Sequence, residues 1–146
     1  VHRVSRSGRA FHLRPDLLLF LSKISNYFNF LKGTSMEMSL STDAWGTTAA
    51  FKGRISWRDD KEFKRQMAEL VQAGYPRLLV DFAGVPMIDS AIIAELVVFH
   101  KEAMEKKMQV VFVVNPDLHA VLFDANLDQM FRIIEDKTEL LRDGLR

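Results

Sequence analysis

The chain contains no cysteine, which excludes disulfides and thiolate metal sites and leaves nothing that calls for an oxidising compartment. No strictly apolar run exceeds five residues, Leu17 to Leu21 among them, against the roughly 20 that a membrane-spanning helix needs. The four histidines form no pair with a metal-binding spacing such as HExxH, and no glycine-rich phosphate loop occurs. Neither sign of charge prevails, with 20 Lys and Arg against 19 Asp and Glu. What is present, 48% hydrophobic and 27% charged residues over 146 positions, is the composition expected of one cytoplasmic, globular domain, with neither metal nor cofactor called for.

The balanced charge hides a division. Residues 1–35 carry Arg3, Arg6, Arg9, Arg14, Lys23 and Lys32 against Asp16 alone, while the remainder holds 14 basic and 18 acidic residues. Gly33-Thr34-Ser35 is the seam, so a basic extension over 1–35 is expected to precede a domain over 36–146. Residues 1–15 lack any period and read as a flexible arm. From Asp16, a candidate cap after Pro15, the residues Leu17, Leu21, Ile24, Phe28 and Leu31 recur at steps of four and three. This amphipathic helix could touch an anionic membrane surface weakly through residues 16–32, or dock on its own domain or on a partner. Because Val1 opens the chain and Met36 opens the patterned region, a start at Met36 is a further reading.

Beyond Met36 the periods are plainer. Met38, Leu40 and Thr42 alternate with polar residues, Asp43 to Gly46 make a turn, and Thr47 to Ile55 complete a hairpin. Asp59 with Glu62 suggests a helix start, followed by the stripe Phe63, Met67, Leu70 and Val71 and a terminating Gly74. Arg77 to Phe82 reads as a buried strand. Ser90 to about Lys107 is a helix whose apolar arc holds Ile92, Ile93, Leu96, Val97, Phe99, Ala103 and Met104, with His100 near its middle, expected as a hydrogen-bonded core residue. Met108 to Val114 is a strand. Asn115-Pro116 is an N-cap followed by proline at the first helical position, opening a short helix with Leu118, Val121, Leu122 and Ala125 inward. A strand over Met130 to Ile134 and a helix over Thr138 to Leu145 follow. The order β-β-α-β-α-β-α-β-α predicts an α/β fold, about four helices on a mostly parallel five-stranded sheet.

One stretch organises the rest: Leu78 to Ser90, where an apolar strand reaches Asp81, a tight loop through Gly84 and Pro86 follows, and Asp89-Ser90 opens the long helix. A hydroxyl at a helix start is ordinarily a cap, its oxygen accepting a free backbone N–H. The same position suits phosphorylation, because exposed N–H groups and the positive helix end stabilise an anion, and a phosphate adds about −1.5 to −2 of charge. Asp81 and Asp89 could be read as paired carboxylates for acid–base or Mg²⁺ chemistry, but no third acid or nucleophile–base pairing accompanies them. Their simpler role, with Gly84, is to structure the loop: Asp81 through backbone N–H groups, Asp89 as a helix cap. Trp45 and Trp57 flank the hairpin and are expected to cover the sheet edge. Acids outweigh bases beyond the arm, so no specific nucleic-acid binding is expected.

This strand–loop–helix unit, with Asp81, Asp89 and Ser90, resembles the core signature of the STAS family, the domain of bacterial anti-sigma factor antagonists. The resemblance runs from about Met38 to Leu141 and includes the tail Asn126 to Phe131. It implies the STAS arrangement of strands and helices, no enzymatic activity, and Ser90 as the phosphorylation switch. The implied function is binding, when unphosphorylated, to an anti-sigma factor or serine-kinase-like partner so that a sigma factor is released. The expected partner surface is Val85, Pro86, Met87, Asp89 and Ser90, continued by Ala91, Ala94, Glu95 and Val98, small apolar residues ringed by charge. Self-association as a homodimer stays open. Where family members commonly carry glycines after the switch serine, this chain has Ile92 and Ala94, which makes the local surface bulkier and stiffer. Alternative readings are the accessory subunit of an ABC-type membrane transport system and a nucleotide-binding or enzymatic α/β domain.

Overall fold

The computed structural model describes residues 15–17, 19–21, 23–24 and 36–140. Residues described within 15–24 are helical and exposed; the rest of the basic extension, and the part of the expected last helix beyond residue 140, lie outside the described residues. The period-2 pattern after Met36 forms strand β1, Glu37–Thr42, with Met38 and Leu40 buried and their neighbours exposed. It turns at Asp43, whose carboxylate accepts from the N–H groups of Trp45 and Gly46, and pairs antiparallel with β2, Thr47–Lys52. Then follow α1 (Asp60–Ala73), β3 (Arg77–Gly84), α2 (Ser90–Glu105), β4 (Gln109–Val113), α3 (Pro116–Asp124) and β5 (Arg132–Ile134), with 3₁₀ turns at Trp57–Asp59 and Leu127–Gln129. A last helix begins at residue 138.

The strands lie in sequence order, β1-β2-β3-β4-β5, and all pairs after the hairpin are parallel. Each crossover therefore steps one strand in the same direction. Right-handed crossovers that step the same way must place α1, α2 and α3 on the same face of the sheet. The core follows this rule. Phe63, Met67 and Leu70 from α1, Ile92, Leu96 and Phe99 from α2, and Leu118 and Leu122 from α3 share one cluster with Leu78, Val80, Val110 and Phe112. Phe82, Phe112 and Phe131 continue it as neighbouring rings, with centroids 6.3 and 4.7 Å apart. The alternate residues Leu79, Val111 and Val113 face the other way and pack with Trp45, Ile134 and Leu140. Both faces are covered, as the unbroken apolar strands require, but among the described residues the second cover is thin.

The terminators are those the sequence names. Gly74 adopts the left-handed conformation (φ 65°) and its N–H reaches Leu70 O and Val71 O. Asn115 caps α3 through Leu118 N at 2.8 Å, with Pro116 at the first position. Five expectations need correction. Ala125, expected inward on α3, is exposed where it forms the C-cap of that helix. Met104, assigned to the apolar arc of α2, is 56% exposed because α2 closes its packing at Ala103. The last strand keeps only three residues: the tail before it winds into the second 3₁₀ turn, leaving Met130 exposed and Phe131 buried. His100 is half-buried against the Phe131 ring at 4.9 Å and its ring makes no hydrogen bond among the described residues, so it packs rather than hydrogen-bonds; burial lowers its pKa. Trp45 does cover the sheet, but Trp57 is 64% exposed.

Candidate functional site

The loop from β3 to α2 is held from several sides. β3 runs two residues past the expected Phe82, so Asp81 lies within the strand and not at its end. Its Oδ1 accepts from Ala83 N at 2.9 Å, and Oδ2 pairs with Lys137 Nζ at 3.0 Å. Gly84 O accepts from Gly53 N at 3.2 Å, where β2 and β3 shift register. A Cβ on Gly84 would meet Lys52 Cγ at 3.2 Å, so this close approach favours glycine. Val85 then turns inward to 0% exposure, its O accepting from the Asn115 side-chain N–H at 2.8 Å. Val85 was expected on the partner surface; it belongs to the core, because the loop needs one apolar foot beneath it. Ile88 is likewise buried and bridges to Ile55 in a parallel pairing.

Asp89 serves two segments at once. Oδ1 accepts from Ile92 N at 3.2 Å, which caps α2, and Oδ2 accepts from Trp57 N at 2.6 Å, which ties the first 3₁₀ turn to the helix start. Capping is thus done by Asp89. Ser90, one position on, is exposed, and its hydroxyl makes no hydrogen bond among the described residues. The alternative in which Ser90 itself is the cap does not hold in this structure.

Around Ser90, Pro86, Met87, Ala94 and Val98 are exposed, while Asp89, Ala91 and Glu95 are half-buried. Ile92 is wholly buried, so its bulk is spent in the core, whereas Ala94 does reach the surface. Glu95 is held above the usual carboxylate range, first by desolvation and then by the facing Asp60 carboxylate, with Lys64 opposing. Asp60 Oδ1 is buried without a hydrogen-bond donor among the described residues; a proton on Glu95 would supply one to that carboxylate. Asp81 and Asp89 have separate partners, and among the described residues no group of three or more His, Cys, Asp or Glu could hold a metal. Among the described residues the arrangement offers an exposed hydroxyl on a restrained surface, with no base hydrogen-bonded to it.

Sequence reasoning passed over three contributors. Asn115 was read as a cap only, yet its amide also latches Val85. Asp60 was unassigned. Trp57 was placed on the sheet edge, although the Ser56-x-x-Asp59 spacing signals a turn held by reciprocal capping, and that turn is what presents the indole: Asp59 Oδ2 accepts from Ser56 N at 2.9 Å.

A family model for the STAS domain matches residues 47–140. The chain belongs to the STAS domain family. No curated protein matches the sequence. Among solved structures, this STAS domain is similar to an anti-sigma factor antagonist from Mycobacterium paratuberculosis, with TM-score 0.68 and 15% identity over 75% of this chain and 93% of the other. It is also similar to an anti-sigma-factor antagonist (STAS) domain protein from Planctomyces limnophilus, with TM-score 0.59 and 23% identity over 72% and 96%. A third, the Bacillus cell fate determinant SpoIIAA in its phosphorylated form, has TM-score 0.53 and 12% identity over 75% and 99%. At these identities the likeness is one of fold. No described helix of this STAS domain is long and apolar enough to cross a membrane.

Proposed function

We propose that this STAS domain is a phosphorylation-gated protein-interaction module, which binds an anti-sigma factor or serine-kinase-like partner and thereby controls release of a sigma factor. The supporting observation is the division of labour at the start of α2: Asp89 caps the helix, so the exposed Ser90 hydroxyl is left without a structural duty. A dianion added there meets unsatisfied N–H groups and the positive helix end, and it changes the charge of a surface made of Met87, Ala94, Glu95 and Val98. Small exposed apolar residues bordered by acids suit a transient contact.

The test is affinity purification from the source cell with the wild-type, Ser90→Ala and Ser90→Asp proteins, followed by mass spectrometry. Retention of one kinase-like protein by Ser90→Ala and its loss with Ser90→Asp is the expected outcome. If all three variants recover the same partner, the gate is rejected; recovery of transporter subunits by all three would favour the transport-subunit reading.

A further inference from the structure

Among the described large hydrophobic residues, Trp57 is the most exposed, at 64%, yet its backbone is firmly held. Its N–H is bound by Asp89 at 2.6 Å, the residues on either side are closed by the Ser56–Asp59 capping box, and Ile55 is buried in its bridge to Ile88. The Arg58 guanidinium stands over the indole, 5.4 Å from the ring centroid. An aromatic ring that is exposed and pre-ordered loses little freedom on docking, and Trp and Arg are the residue types that dominate binding energy at interfaces.

The charges nearby are sorted by direction. Arg58, Lys61 and Lys64 are exposed, whereas Asp59 and Glu62 are half-buried and accept hydrogen bonds within the domain from Ser56 N and Arg65, and Asp60 is half-buried, facing Glu95. The rim that faces outward beside Trp57 is therefore basic. Met87, 57% exposed on the adjoining loop, adds apolar area. A nucleic-acid backbone, an extended polyanion, fits less well, since acids outnumber bases by 18 to 14 over residues 36–146 as a whole and the basic rim is local.

The geometry points to Trp57 as the aromatic anchor of the docking surface, seated in an apolar pocket of a protein partner whose mouth is lined by carboxylates that meet the basic rim. The inference rests on the reading of Ser90 as the gate and deepens it. Ser90 directly follows Asp89, whose carboxylate holds Trp57 N at 2.6 Å, so a phosphate on Ser90 would confront the partner acids that the rim attracts.

The test places a benzophenone amino acid at position 57 of the full chain in the source cell, with the same group at position 104, at the far end of α2, as control. Position 57 is expected to form an adduct with the protein that Ser90→Ala retains and Ser90→Asp loses, and position 104 is not. Carbodiimide coupling should then join Lys61 or Lys64 to Asp or Glu of that protein. With the purified partner, Trp57→Ala should weaken binding about 30-fold or more, with an unchanged melting temperature. An adduct from position 104 alone, a nuclease-sensitive adduct, or Trp57→Ala binding as wild type overturns the anchor. If Ser90 variants discriminate while position 57 stays silent, the anchor falls and the gate stands. If position 57 captures one partner equally in Ser90→Ala and Ser90→Asp, the gate falls and the anchor stands.

Discussion

The carboxylate of Asp89 and the backbone N–H of Trp57 meet at 2.6 Å across a sequence separation of 32 residues. The same carboxylate caps α2 through Ile92 N, so one side chain fixes both the helix start and the turn beside it. Asp89→Ala removes a cap and a charge-assisted hydrogen bond together, an expected loss of about 2 kcal/mol. Asp89→Asn, which keeps one acceptor, should lose about half as much. Urea unfolding with an unchanged m-value measures both; equal stability of all three proteins would show that the tie contributes nothing in solution.

Ser90→Ala is expected to leave stability within about 0.5 kcal/mol of wild type, because the hydroxyl is exposed and has no hydrogen bond among the described residues. The contrast with Asp89→Ala separates a free hydroxyl from a capping one. A loss of about 1 kcal/mol or more in Ser90→Ala, seen in the same urea series, would restore Ser90 as the cap.

Glu95 faces Asp60, and its pKa is raised chiefly by desolvation, with the Asp60 charge second. The folded protein therefore holds that proton more tightly than the unfolded chain, and ionised Glu95 weakens the fold at neutral pH. Glu95→Gln should raise the melting temperature at pH 7 by roughly 2 °C. The advantage should vanish as the pH falls through the raised folded value and below the unfolded one, near about 4.3, where wild type is protonated too. Thermal melts at pH 4 and 7 decide it; an equal gain at both values would assign the effect to something other than charge.

Gly46 closes the β1–β2 turn against β3. A Cβ there would stand 2.6 Å from Arg77 O and 2.7 Å from Arg77 Cβ, and the nearer atom is backbone that cannot step aside. Gly46→Ala should cost about 1–3 kcal/mol by overpacking, again read from denaturant unfolding. Gly74→Ala, by contrast, has open space but a strained left-handed φ of 65°, and should cost about 1 kcal/mol.

The fold was legible where its cause was local. The 2-residue period of β1, the glycine ending α1 and the Asn115-Pro116 start of α3 are each written in adjacent residues, and each element stands where those signals put it. The candidate site was legible only in outline. Hydropathy cannot say that Val85 is buried while Met87 is exposed, because the loop's orientation is set by Asn115, 30 residues away. It likewise assigns Trp57 to a covering role, since nothing near that residue announces the bond to Asp89. The sequence reading of Asp81 as a strand end failed for a related reason: pairing with β2 and its register shift carries β3 on to Gly84.

All crossover helices lie on one side of the sheet, and among the described residues the opposite side relies on Trp45, Ile134 and Leu140 to shelter Leu79, Val111 and Val113. Damage therefore sorts by side. Lesions in that slender lining, such as Leu140→Asp, would lower yield and promote clumping by baring β-prone chain, whereas changes confined to the exposed side chains of Trp57 and Ser90 would leave a well-made protein.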